Sequence, residues 1–192
     1  RTRNREMKYQ PKLLPVRLFG DDILRQKLPE VDFNTPGLQE FIQDLIYTMY
    51  ARDGVGLAAN QVGSLWRVIV IDPDRENMFD QKNPIVMINP VIESREGEVI
   101  YEEGCISLPE IYADISRSKR ITYSYTDLNG NRQTESAEEV KAVIIQHEYD
   151  HLEGILFTDH LGRIARLKIL HKLKALQARA VNGQNIMEGI AL

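Results

Sequence analysis

Residues 146–154 read QHEYDHLEG, and within them His147-Glu148-Tyr149-Asp150-His151 spells H-E-x-x-H. Two histidines four apart on a helix lie about 40° apart around its axis, so both imidazoles look the same way. Glu148 lies about 100° from His147 and about 60° from His151, within reach of a water held at the same centre. In helix-borne metal sites of this pattern the glutamate serves as general base. Val140, Ile144 and His147 follow one another on that face, which is therefore expected to look into the core. The alternative is a surface helix with chance histidines. The same stretch sets the helix bounds. Ser136 with Glu139 three residues on reads as a capping box, and Gly154 as a stop, which predicts a helix over 137–153.

Two imidazoles do not complete a metal site. The longer pattern H-E-x-x-H-x-x-G-x-x-H is followed up to Gly154, but its last position holds Phe157. After Glu153 the next glutamate is Glu188, and His160 and His171 read more simply as a turn residue and an amphipathic-helix residue. That leaves Cys105, in YEEGCISLPE. A lone cysteine reads either as a buried apolar residue or as a ligand. Here a preceding glycine permits close backbone approach. A thiolate with two imidazoles and an open fourth position is a catalytic metal arrangement that also accepts Fe(II).

Working outward, 192 residues with 43% apolar content fit one domain, 1–192, with a sizeable core. A net charge of −4 argues against DNA as a partner, and no apolar run approaches the roughly 20 residues of a membrane helix. One cysteine excludes an internal disulfide and suits a reducing compartment. Residues 1–8, RTRNREMK, carry four positive charges against one negative and are read as a flexible arm or processing remnant outside the fold. Leu38, Phe41, Ile42, Leu45, Ile46, Met49 and Tyr50 recur at helical spacing and predict a helix over 35–52, with Pro36 in its first turn. Residues 66–72, 85–93 and 119–126 read as strands, and Asn129-Gly130 as a type I′ hairpin into 131–135. A last helix over 163–181 should bury Leu167, Leu170, Leu173 and Leu176. Strands in the middle and helices at the sides give an α+β class: antiparallel or mixed sheets around a central metal-binding helix, with an N-terminal and a C-terminal helix.

GVGLAA at 54–59 imitates a dinucleotide fingerprint, with Asp72 18 residues after Gly54. A helix precedes it and a strand follows, which is the wrong context for that motif.

Taken together, GVGLAANQ at 54–61, EGCIS at 103–107 and HEYDH at 147–151 resemble, in order and spacing, the peptide deformylase family. The resemblance runs from about Asp22 to Phe157. It departs at Asn60, where the family usually has proline, a residue that would stiffen the loop presenting Gln61. It implies removal of the formyl group from N-formylmethionyl peptides, with Cys105, His147 and His151 on one divalent ion. Fe(II) is the ion expected in the cell, with Zn(II) or Ni(II) in purified protein. Glu148 would be the base, while the Gln61 side chain and the Ile106 backbone N–H would face the developing oxyanion. A loop amide satisfying nearby backbone is the other reading of Gln61. Val55, Gly56, Gly104, Val143 and Ile144 would line the substrate, the apolar ones being open also to an ordinary core reading. Leu57, with Gly56 and the Cys105 loop, is expected to leave room for formyl but not acetyl. Glu103 reads either as an acid paired with Arg117 behind the site or as a solvated glutamate. Between His160 and Val181 stand six Lys/Arg and no acid. That is a solvated face or, because the substrate emerges there, a ribosome-docking one. The implied location is the bacterial cytoplasm, or a mitochondrion or plastid after transit-peptide removal.

Overall fold

The computed structural model describes residues 8–74 and 81–187, so the expectation for the arm falls, except for Lys8, outside the described residues. Helix α1 spans Leu38–Ala51, starting later than its apolar period suggests because Gly37 before it is left-handed, at φ 85°. The glycine-bearing stretch after it is partly ordered as strand β1, Gly56–Ala58, followed by a 3-10 turn, Ala59–Val62. Strands β2 (Val68–Ile71), β3 (Ile85–Glu96), β6 (Arg120–Thr126) and β7 (Arg132–Glu138) join β1 in an antiparallel sheet of order β1-β2-β3-β6-β7. Strands β4 (Val99–Cys105) and β5 (Leu108–Arg117) form a separate antiparallel pair. Helix α2 spans Glu139–Leu152 and α3 Arg163–Ala178.

Strand β2 shows why the layers form. Its four residues, Val-Ile-Val-Ile, are all fully buried, and side chains alternate across a pleated strand. Ile69 and Ile71 join Met87, Tyr123 and the α2 residues Ala142, Ile145 and Leu152 in one cluster. Val68 and Val70 join Leu57 and the α1 residues Leu38, Ile42, Leu45 and Met49 in another. The sheet is thus sandwiched between α1 and α2. A third cluster packs β5 and α3 against Val16, Leu18 and Leu24 of the N-terminal segment.

Several sequence expectations change. The β4–β5 pair was not anticipated. Ser136 caps nothing: it lies in β7 opposite Thr122, and Glu138 is the residue before α2, without a side-chain cap. The β6–β7 turn is not type I′. Asn129 is absent from the positive-φ residues, while Gly130 is left-handed and donates its N–H to Asp127 O. That is a type I turn followed by a left-handed glycine. Val140 does not enter the core: it is 46% exposed and faces a cleft, whereas half-buried Ile144 both packs against the core cluster and lines that cleft. On α3 the buried residues are Ile169, Leu173 and Leu176, while Leu167 is 59% exposed.

Helix α2 ends as its glycine predicts. Gly154, at φ 74°, donates to His151 O, and Ile155 N donates to Asp150 O. A Cβ on Gly154 would stand 2.6 Å from the Arg25 carbonyl oxygen, so both its conformation and its surroundings refuse a side chain. Left-handed backbone costs a non-glycine residue ~1–2 kcal/mol and overpacking a further ~1–3. Gly154→Ala should therefore lower the melting temperature by roughly 5–15 °C for a chain of this size, measured by calorimetry. An unchanged melting temperature would show that this turn is not built as described.

Candidate metal centre and active site

Helix α2 brings His147 and His151 to one face, with Nε2 atoms 3.3 Å apart. Cys105 ends β4, and its register with Leu108 leaves Ile106 and Ser107 as a two-residue turn. That turn places Cys105 Sγ 3.3 Å from His151 Nε2. Among the described residues these three are the group whose ligand atoms all lie within 4.8 Å of one another. Tetrahedral bonds of about 2.0–2.1 Å to nitrogen would themselves set two ring nitrogens about 3.3 Å apart. Three lone-pair donors held at that spacing repel one another unless a cation stands between them. The donor set therefore fits a divalent ion. Phe157, fully buried, stacks on His147 with ring centroids 5.9 Å apart, so the position lacking a third histidine wedges the first in place.

Behind His147 runs a buried chain of charge. Glu103 Oε1 lies 2.7 Å from His147 Nδ1, which leaves Nε2 for the centre. Arg117 clasps Glu103 with both Nε (2.6 Å) and Nη2 (2.9 Å), confirming that pairing. Its Nη1 reaches Asp150 at 2.8 Å, and Asp150 meets His160 at 2.7 Å. Neither Asp150 nor His160 was assigned a task from sequence. Burial alone would raise the Glu103 carboxyl, but the bonds from His147 and Arg117 outweigh it and hold it below its ordinary range. Burial, followed by the neighbouring His147, pushes His151 well below an ordinary imidazole, as a neutral ligand requires.

Glu148 is 4% exposed; its Oε1 lies 3.9 Å from His147 Nε2, and its Oε2 has no hydrogen-bond partner among the described residues. Burial pushes its carboxyl up to about 7. Gly56 makes this position possible, since a Cβ there would stand 2.8 Å from Glu148 Oε1. The family resemblance implies for Gly56 only a place beside the substrate. Gln61 is buried, and its amide oxygen satisfies nearby backbone while its nitrogen lies beside the centre. Its Oε1 accepts the Ala58 N–H at 2.9 Å, while Nε2 donates to Ser107 Oγ at 3.0 Å and lies 3.4 Å from Cys105 Sγ. Ser107, within EGCIS but given no task there, is what holds the amide toward the centre.

A cleft of about 780 Å³ opens beside these groups. Val55, Gly56, Gly104, Ile106, Val143 and Ile144 all line it, as do Gln61, Cys105, His147 and Glu148. His151 sits behind, 1% exposed. Leu57 does not line it: that side chain points to α1, so any crowding comes from Ile106, the Gly56 backbone and Glu148. Leu108, Tyr112 and Met187 also reach the cleft; no local pattern marked them, because the first two arrive from an unread strand and the third from the C-terminal segment.

The polypeptide deformylase family model matches residues 13–167. The peptide deformylase of Endomicrobium trichonymphae is 44% identical over 161 residues, covering 84% of this chain and 94% of that relative. That of Wolinella succinogenes is 40% identical over 166 residues, covering 86% and 98%. Among solved structures, the Thermus thermophilus peptide deformylase superposes with a TM-score of 0.79 at 37% identity, over 88% of this chain and 100% of that one. The Synechococcus elongatus enzyme, solved in complex with actinonin, gives 0.79 at 38% identity, over 92% and 93%. Sequence and fold agree over nearly the whole of each relative, and the chain belongs to the polypeptide deformylase family.

Proposed function

We propose that this chain, as one catalytic domain over 1–192, hydrolyses the formamide of N-formylmethionine at the start of new polypeptides, releasing formate and a free amine. The observation that carries this reading is the convergence of Cys105, His147 and His151 beside a buried Glu148 on the wall of an open cleft. A divalent ion held by those three side chains would supply a water that ionises near neutrality and a positive charge beside the formyl oxygen. Glu148 takes the proton of the attacking water and hands it to the amine nitrogen as the C–N bond breaks. Burial, which raises this carboxyl, favours its taking the proton up. The formyl oxygen becomes negative as the carbon is attacked, and Gln61 Nε2 with the Ile106 N–H donate to it. One such donor is typically worth ~3–4 kcal/mol. Val55, Val143 and Ile144 offer the methionine side chain an apolar wall, and the backbone at Gly56 and Gly104 pairs with the extended peptide.

A thiolate with two imidazoles is a borderline-soft set, and we read the ion in the cell as Fe(II), with Zn(II) or Ni(II) satisfying the same donors after purification. Metal analysis of anaerobically purified protein decides between them. Among the described residues no helix is long and apolar enough to cross a membrane. Thiolate ligation needs a reducing compartment, which the bacterial cytoplasm provides, as does the interior of a mitochondrion or plastid. For the ribosome, support comes from α3, where Lys168, Lys174, Ile164 and Leu167 are all exposed beside one another in sequence.

Glu148→Ala should keep its metal and lose turnover of formyl-Met-Ala-Ser by ~10²–10⁴-fold, the usual worth of positioned proton transfer. Near-native turnover with metal intact would show that another group acts as base.

Formyl-Met-Ala-Ser should exceed its acetyl analogue in kcat/KM by at least ~10³. A methyl beside Ile106 and Glu148 displaces the carbonyl from its donors, and about 1 Å of misplacement can cost ~10²-fold, with ~1–3 kcal/mol of overpacking added. Comparable values for the two, or cleavage of casein, would overturn the deformylase reading.

Charge reversal tests the ribosome at Lys168 and Lys174. Lys172 is less suitable, because it donates to Glu110 O at 3.1 Å and Glu110 borders the cleft. The double reversal should weaken binding to purified ribosomes and flatten its salt dependence, with tripeptide turnover unchanged. Unaltered affinity would return α3 to a solvated face.

A further inference from the structure

Asn60 stands in the 3-10 turn that also carries Gln61, and its side chain is fully buried. Its Nδ2 donates to the His151 carbonyl oxygen at 2.6 Å, across 91 residues of chain. His151 lies in the final turn of α2, and its carbonyl oxygen, which also accepts the Gly154 N–H, takes the Asn60 amide as a further donor. The assignment of the amide is fixed by chemistry: turned over, it would set two carbonyl oxygens 2.6 Å apart. Oδ1 has no hydrogen-bond partner among the described residues, so the amide is held there by what its nitrogen does.

We propose that Asn60 is a positioning residue for the reaction: its hydrogen bond ties the turn that carries Gln61 to the helix end that carries His151. This rests on the deformylase reading above. The bond begins one residue before the Gln61 donor and ends on the backbone of a residue whose ring faces the metal centre. It therefore ties the turn to α2, while Ser107 Oγ and Cys105 Sγ hold the Gln61 nitrogen from the β4–β5 side. Gln61 O accepts from Arg17 N and Ala59 O accepts from Ser64 N, and neither contact involves α2. A proline at this position would stiffen the turn from within; Asn60 fastens it from without. The chemistry tolerates little slack, since about 1 Å of misplacement can cost ~10²-fold.

The test is a double-mutant cycle on the intact, metal-loaded protein, with Asn60→Leu made in the Gln61 and the Gln61→Ala backgrounds. Deformylation by the unsubstituted chain is measured first; its absence would sink the functional reading and not this inference. With Gln61 present, Asn60→Leu should lower kcat about tenfold with KM within twofold and metal content unchanged. In the Gln61→Ala background the same change should alter kcat less than twofold. A second readout is independent of turnover. Backbone amides of residues 58–64 should exchange hydrogen about tenfold faster in Asn60→Leu, while those of α2 hold their rates. If the leucine variant does not fold, Asn60→Asp, equal in size but with an acceptor in place of the donor, must give the same pattern. Equal loss of kcat in both backgrounds, or no loss with Gln61 present, would overturn the proposal.

Discussion

Everything at the centre depends on Arg117 being held between two buried carboxylates. It comes from the end of β5, Glu103 from β4 and Asp150 from α2, so one guanidinium joins the strand pair that carries Cys105 to the helix that carries both histidines. A planar fork can clasp one carboxylate with two bonds and still reach a second, which a lysine could not do. Removing one member of such a buried set generally costs about 3–5 kcal/mol, because the remaining charges lie uncompensated. A divalent ion held by Cys105, His147 and His151 would sit beside a buried group of net negative charge, since Glu103 and Asp150 bring two charges and Arg117 returns one.

How much of this the sequence disclosed depended on the range over which each signal acts. His147, Glu148 and His151 were legible because helical spacing alone sets their faces. The α1 stripe was legible for the same reason, as was the stop at Gly154. Cys105 is 42 residues before His147 in sequence, and no periodicity links them. It emerged because the local alternatives failed and because EGCIS stood where a family resemblance required it. The β4–β5 pair escaped because its strands present mixed faces: Glu103 is buried, Ile100 is 62% exposed and Tyr112 is 61% exposed. Polarity there is set by the cleft and the Arg117 chain, so a rule that puts apolar residues inside and polar ones outside reads it wrongly. The capping box failed for a related reason. Ser136 has the right spacing from Glu139, but the β6–β7 ladder claims it first, and tertiary pairing outranked a local preference.

Asp150 was hidden in plain view inside HEYDH. On a helix it stands about 60° from His147 and about 100° from His151, on the side away from Glu148. One motif therefore serves two directions: Glu148 turns toward the cleft and Asp150 toward Arg117. The constraint on α2 is thus not simply to present two ligands. It puts Glu148 on one flank, where burial raises the carboxyl beside the cleft, and Asp150 on the other, where His160 and Arg117 hold it ionised against its burial.

The same separation of duties governs Gln61. An amide in a loop ordinarily turns to suit whatever partner is near, and a donor free to turn must be reoriented at each catalytic cycle. Here the Ala58 N–H claims Oε1, so only the nitrogen can face the centre, and Ser107 Oγ and Cys105 Sγ define the arc through which it moves. The nitrogen is therefore aimed at the centre in the folded chain, and in the proposed reaction it would reach a substrate oxygen by exchanging one of these partners, without rotation of the amide. Preorganised donors of this kind are effective because their reorientation is completed during folding and not during reaction. That is why the largely buried segment from Gly56 to Gly63 is anchored on several sides: by β2, by Arg17 N on Gln61 O, and by Asn60 on the end of α2.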